Sequence, residues 1–387
     1  MMRRRGCVCA GSMNRTKSIP EGIAGGMLTI DLNALGTNWR ELKARAGSAQ
    51  CSAVIKADGY GLGIKPVALK LADCGCETYF VATIDEAFRI RAALPAATIY
   101  VLNGLYPGTA AQLRTSRARP VLGSWPEIEE WNSFAQESGE PLAAAIHFDT
   151  GMNRHGLAAA DAVAFADRIK TLRFKPSLVM SHLACADEPA HPMTAKQVAA
   201  FREIAARFPG VSASLANSAG LLAHKDSHFD LVRPGVAIYG GRAVRDEKNP
   251  MKPVVRLDLR ILQMRHASKG EPVGYGAAEH LKRDSRIAIC AAGYADGVFR
   301  AVGSSDERRG AEATVAGKRC PLVGRVSMDI IAIDVTDVPE AETKRGDFAT
   351  LIGEGISVDD FAAHAGTIGY ETLVNLGRRY ARTYRGG

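Results

Sequence analysis

Between residue 51 and about residue 240, short apolar runs alternate with stretches of helical periodicity. The runs are CSAVIK, TYFVAT, TIYVLN, RPVLG, AAIHFD, SLVMSH, VSASLAN and FDLVRPG. Between them lie KPVALKLADCG, IDEAFRIRAALP, WPEIEEWNSFAQESG and MTAKQVAAFREIAARF, whose apolar positions recur at helical spacing. Strands alternating with helices imply parallel strands joined by crossovers. Eight such repeats predict an α/β fold closed into a (β/α)8 TIM-type barrel rather than an open doubly wound sheet. After about residue 245 the pattern changes to alternating runs joined by glycine turns, as in PVVRLDLRILQMRHASKGEPVGYG, SRIAICAAGYADG and EATVAGKRCPLVGRVSMDIIAIDV. This predicts a C-terminal, mainly antiparallel β domain. Helical spacing returns only in VDDFAAHAG and YETLVNLGRRYARTY. The expected division is a disordered basic extension over 1–26, a barrel over 27–245 and the β domain over 246–387.

Composition narrows the class. The 387 residues are too many for one ordinary core. At 47% hydrophobic and 23% charged, the chain reads as globular. No apolar run approaches the roughly 20 residues that span a bilayer. The net charge of +8 invites a nucleic-acid reading. Its distribution does not: about half of the excess sits in MMRRRGCVCAGSMNRTKSIPEG, an arginine-led start without the apolar core of a signal peptide. Met13 and Met27 are both candidate starts. The eight cysteines include Cys7/Cys9 and Cys74/Cys76 but no Cys-x-x-Cys, which fits free thiols in a cytoplasm. The histidines show no metal spacing, so no metal is expected.

In a βα barrel, chemistry gathers at the C-terminal ends of the strands. The first predicted strand ends on Lys56, within VIKADGYGLG. The fifth leads into DTGMNRHG with Arg154, the sixth ends at His182, the seventh at Asn217 and Ser218, and the eighth at Arg233. One lysine at a strand tip is ordinarily a solvated charge. Cationic or polar groups from five strands on one rim are harder to dismiss, and a lysine among cations can serve as a Schiff-base amine. ANSAG and RPGVAIYG offer small residues, a hydroxyl and Gly235 to an anion, where barrels often bind phosphate. Together these features suggest pyridoxal 5'-phosphate. In the second domain Tyr275, Tyr294 and Tyr370 stand in glycine-bounded loops, where each could equally be an ordinary half-buried aromatic.

VIKADGYGLG, DTGMNRHG, SHLACAD, ANSAG, RPGVAIYG, GYADG and GRVSMD occur in order across both domains, and from about Met27 to Tyr384 the sequence resembles the alanine racemase family. The resemblance implies a pyridoxal-phosphate enzyme interconverting L- and D-alanine by two bases: Lys56, which carries the cofactor, and Tyr275 of the partner subunit in a head-to-tail homodimer. It places Tyr60, Ser218, Gly235, Val236 and Tyr370 at the phosphate and Arg233 at the pyridine nitrogen. Asn217 joins the cofactor set, and His182 tunes the tyrosine base. Arg154 lies near the cofactor's phenolic oxygen and the substrate carboxylate, and Met328 offers the substrate a backbone contact. Asp187, Tyr294, Arg300, Arg325 and Ile368 match an entryway. Peptidoglycan supply is the implied role. Four residues depart from the family pattern. His147 replaces a lysine that many members carry as a carbamate beside the arginine, Gly59 and Leu62 replace alanine and histidine, and His155 replaces leucine.

Rival readings are a racemase of serine or of broader specificity, a non-catalytic pyridoxal-phosphate carrier, and a basic nucleic-acid-binding protein. Tyr275 and the β domain speak against a carrier, and only the N-terminal stretch supports nucleic acid.

Overall fold

A computed structural model describes residues 19–386. The predicted extension therefore lies largely outside the described residues, as do Met13, Cys7 and Cys9. Residues 19–25 are ordered against the second domain: the short turn Glu21–Ile23 accepts hydrogen bonds at Glu21 from Arg260 and Thr383.

All eight predicted barrel strands form. In chain order they are Gln50–Cys51 continued by Ala53–Val54, Thr78–Val81, Thr98–Val101, Arg119–Leu122, Ala143–Asp149, Lys175–Met180, Ser212–Ser214 and Leu231–Val232. Neighbours pair in parallel around the ring. The last strand closes it, pairing with Gln50–Cys51 and bonding back through the Asp230 amide to the Ala213 carbonyl at 3.0 Å. Strands covered on both faces must be apolar throughout. Thr78–Val81 is accordingly buried at every residue. The outer helices include Ile64–Asp73, Ile84–Ala93, Trp125–Ser138 and Pro192–Ala205. Leu32–Ala46 precedes the first strand and packs between Ile64–Asp73 and Ser218–Ala223.

The second sheet runs Lys318–Pro321, Glu312–Val315, Phe348–Ile352, Val255–Ala267, Gly26–Asp31, Ala381–Arg385, with Ser285–Cys290 paired to the long strand and Ile331–Asp334 paired to Ser285–Cys290. Val255–Ala267 alternates buried and half-buried residues in its first half, as a strand with one covered face must.

Two boundaries differ from expectation. Residues 27–31, assigned by sequence to the barrel, lie in the second sheet, antiparallel to Val255–Ala267 and parallel to Ala381–Arg385. The stretch YETLVNLGRRYARTY is helical only over Gly369–Asn375. Its end is the strand Ala381–Arg385, because Met27 to Asp31 supply a ladder for it there. Long-range pairing has overridden local helical spacing.

Candidate active site

The strand Ala53–Val54 ends in a left-handed turn. Ala57, Asp58, Gly59 and Tyr60 all have positive φ, between 53° and 66°. Each non-glycine residue held this way costs about 1 kcal/mol or more, so surrounding structure must hold the turn. The amides of Gly59, Gly61 and Gly63 bond back to Ile55, Ala57 and Asp58 at 2.7–3.0 Å. The C-terminal segment grips it from outside: Tyr384 donates to the Leu62 carbonyl at 2.8 Å and Arg382 to that of Gly61. Two of the glycines make this approach possible. A Cβ on Gly61 would lie 2.4 Å from the Leu373 carbonyl oxygen, and one on Gly63 would lie 2.5 Å from the Tyr384 hydroxyl. The glycine-rich stretch after Lys56 is thus a docking site for the second domain.

Lys56 opens onto a cavity of about 960 Å³ at the barrel mouth. Tyr60, Arg154, His182, Asn217, Ser218, Arg233, Gly235, Val236 and Tyr370 line the same cavity. Burial lowers the Lys56 pKa, Arg154 lowers it further, and Glu86 opposes them. Arg233 is buried beneath the cavity, donating to the Ser181 and Leu215 carbonyls and to Ser214 Oγ. Burial pulls its pKa down to about 9, which leaves the guanidinium charged at neutral pH. His182 is held far below the usual histidine range by burial, then by Arg233 and Arg154. It is a neutral imidazole. His147 is also buried and pushed down to about 3 by burial and by His155, Arg233 and Arg154. The two rings meet edge-on, His147 against His155 at 5.3 Å. Arg154 stands at the rim, and no ion-pair partner faces it among the described residues.

One side of this cavity gathers hydroxyls and open backbone. Ser218 Oγ accepts from the amides of Gly235 at 2.8 Å and Ala237 at 3.4 Å. A Cβ on Gly235 would lie 2.3 Å from the Tyr60 hydroxyl, so only glycine leaves this cradle open. Tyr60 stacks on Tyr239 at 4.4 Å, and Tyr370 stands 6.3 Å from it. Burial pushes both Tyr60 and Tyr370 upward, so their hydroxyls stay protonated and can donate. Three hydroxyls and close-approach backbone on one side, with Lys56, Arg154 and Arg233 around the cavity, suit a dianionic phosphate and a carboxylate. Glu371 is the one carboxylate among the lining residues. The residues present fit pyridoxal phosphate. Among the described residues, no group of three or more His, Cys, Asp and Glu is placed to hold a metal ion.

Tyr275 and Met328 are not brought to the cavity. Tyr275 is 71% exposed and Met328 52%, on adjoining loops of the second domain. The strands Pro272–Val273 and Glu279–His280 frame Tyr275, and Glu279 accepts from the Gly324 amide to hold the loop of Met328 beside it. Of the entryway matches, Ile368 reaches the cavity rim. Asp187, Tyr294, Arg300 and Arg325 lie outside its lining. Sequence reasoning missed Tyr239, Asn103 and Tyr106. Tyr239, six residues after Arg233 within RPGVAIYG, carried the only local signal of the three.

The alanine racemase N-terminal domain matches residues 30–243 and the C-terminal domain residues 254–384. An alanine racemase from Methylobacterium sp. (strain 4-46) is 51% identical, covering 93% of this chain and 98% of the relative. Agrobacterium fabrum (strain C58 / ATCC 33970) has two similar proteins, named biosynthetic and catabolic alanine racemase, at 45% and 44% identity; each alignment covers at least 92% of this chain and 93% of the relative. The crystal structure of the Bartonella henselae alanine racemase, with covalently bound pyridoxal phosphate, superimposes with a TM-score of 0.87 at 36% identity, covering 93% of this chain and 99% of that one. Both halves match, in order and over nearly their whole length, and the chain belongs to the alanine racemase family.

Proposed function

We propose that this protein racemises alanine with pyridoxal phosphate carried on Lys56, and that the second proton carrier is Tyr275 of the partner subunit. One observation supports this above the rest. All ten residues expected at the cofactor line one cavity, while Tyr275 and Met328 stand exposed outside its lining. Racemisation needs proton carriers on opposite faces of Cα, so a second copy must bring the phenol to the lysine. When bound, pyridoxal phosphate draws electrons from Cα and acidifies its proton. Lys56 moves that proton on one face, and its lowered pKa keeps more of the amine in the neutral, accepting form. Arg154, without a carboxylate partner, receives the substrate carboxylate. Arg233, itself a donor, leaves no acceptor to share a proton with the pyridine nitrogen. Ser218, Gly235, Val236, Tyr60 and Tyr370 hold the phosphate.

The protein works in the cytoplasm, which suits its six free described cysteines. No helix among the described residues is long and apolar enough to cross a membrane. Supply of D-alanine for peptidoglycan is the role we propose; the relative named biosynthetic supports it, at 45% identity against 44% for the one named catabolic. A deletion strain should then require D-alanine for growth.

Subunit mixing tests the shared site. Lys56→Ala and Tyr275→Ala are each expected to be inactive. Exchanged together, they form heterodimers with one doubly defective site and one intact site. Activity should return towards about a quarter of wild type, since random pairing makes about half of the dimers mixed. Proven subunit exchange with no recovered activity would refute it.

A further inference from the structure

Glu86 is a buried carboxylate, 7% exposed, that the chemistry above does not use. It stands at the third position of the helix Ile84–Ala93, where it forms a capping box with Thr83. Capping alone would employ one oxygen. Here Oε2 accepts from the amides of Ala82 at 2.9 Å and Thr83 at 3.4 Å. The other oxygen, Oε1, crosses to the preceding βα loop and accepts from the Asp58 amide at 2.9 Å. That amide lies two residues from Lys56, inside the left-handed turn. Three residues further along the same helix, Arg89 pairs with the Asp58 carboxylate at 2.5 Å, and that carboxylate also accepts from the Ile64 amide at 3.0 Å. The helix therefore holds Asp58 at both backbone and side chain.

We propose that Glu86 is a positioning residue for Lys56, its carboxylate fixing the strained turn that aims the amine into the cavity. The inference rests on Lys56 being the residue that carries the cofactor. Glu86 has a second effect through its charge. Of the charged groups acting on the amine, Arg154 disfavours its protonated form and Glu86 favours it. His182, facing the same cavity, is neutral. Loss of the carboxylate should thus loosen the turn and shift the amine towards its neutral form at once.

The fold supplies a matched control. Glu127 occupies the same position of the helix Trp125–Ser138 and grips its own preceding loop in the same way. It accepts from the amides of Leu105 at 3.1 Å and Gly123 at 3.0 Å and from Ser124 Oγ at 2.8 Å. It holds a loop that does not carry the lysine.

The test uses the full-length dimer, stripped of small molecules and reloaded with pyridoxal phosphate. Capture is followed by the visible band of the bound cofactor across pH, and borohydride then fixes the label to a peptide. Glu86→Gln keeps the shape and removes the charge. It should slow capture by roughly 10- to 100-fold, as expected for a misplaced reacting group, and move the capture profile to lower pH. In turnover it should lower kcat more than it raises KM for alanine. Glu86→Asp, one methylene short of the Asp58 amide, should not restore capture, and it replaces Glu86→Gln if that variant does not fold. Glu127→Gln should lose thermal stability comparably yet keep the wild-type capture rate and profile. Wild-type capture by both Glu86 variants, or equal losses in the Glu86 and Glu127 variants, would overturn the proposal. Label found away from Lys56 in the wild type would instead overturn the underlying assignment, and this inference with it.

Discussion

Lowering the pH from 7 to 5 should weaken the barrel, and a calculable share of the loss falls to His147. His147 lies on the strand Ala143–Asp149, 7% exposed, with its pKa held at about 3 by burial first and then by His155, Arg233 and Arg154. In the unfolded chain it titrates near 6.5. The folded site therefore refuses a proton that the unfolded chain accepts, and stability falls as pH drops from about 6.5 to about 3. Each pH step within that window is worth about 1.4 kcal/mol. At pH 5 the loss is about 2 kcal/mol, and across the whole window it approaches about 5 kcal/mol. His182 acts in the same direction for the same leading cause. The assay is chemical denaturation followed by tryptophan fluorescence. Trp39, Trp125 and Trp131 are the only tryptophans and all sit on helices of the barrel half, so the signal reports that unit. His147→Asn removes the imidazole. It should lose about 2 kcal/mol less than wild type between pH 7 and pH 5, while the distant carboxylates that also titrate cancel in the comparison. Identical pH dependence in the two proteins would refute the reasoning.

Three further outcomes are expected. Gly61→Ala must place a Cβ 2.4 Å from the Leu373 carbonyl oxygen at a φ of +78°, so it should cost about 2–4 kcal/mol and lower cofactor occupancy, read by thermal melting and by absorbance. Arg91 donates to the carbonyls of Leu94, Pro95, Ala97, Ser116 and Arg117, and Arg91→Lys cannot reproduce that fork; barrel stability should fall by about 1–3 kcal/mol with kcat unchanged. Because His147 has no amine to take up carbon dioxide, activity should be indifferent to degassing, and a loss that bicarbonate restores would contradict this.

The barrel was legible because each of its strands is an apolar run that needs no distant information to be recognised. The rim residues followed from it: Lys56, His182, Asn217 and Arg233 end predicted strands, and the structure puts all four on one cavity. What stayed hidden depended on remote partners. Residues 27–31 followed by a helix look like an ordinary first βα unit, and only Val255–Ala267 and Ala381–Arg385 draw them elsewhere. Tyr384 lies in a segment of helical spacing yet ends as a strand residue bonded to Leu62. The glycines after Lys56 announced a turn. Its left-handed run through Ala57, Asp58 and Tyr60 was not written in those residue types, since the hold comes from Glu86, Arg382 and Tyr384. Glu86 itself reads as a solvated helix start until the loop beside it is seen.

The placement of Gly26–Asp31 also bears on how the chain is made. This strand leaves the ribosome early, but both of its neighbours in the sheet come much later, and the second is Ala381–Arg385. At roughly 5–20 residues per second, that partner emerges roughly 20 to 70 s afterwards. Both edges of an apolar strand stay open until Val255–Ala267 emerges and one stays open until the end, a state that invites wrong pairing. The barrel, whose strands follow one another directly, can close in the meantime. Removing a few residues from Ala381–Arg385 would therefore strand the first strand at the far end of the sequence. During synthesis the inserted unit is complete before the unit that encloses it can begin.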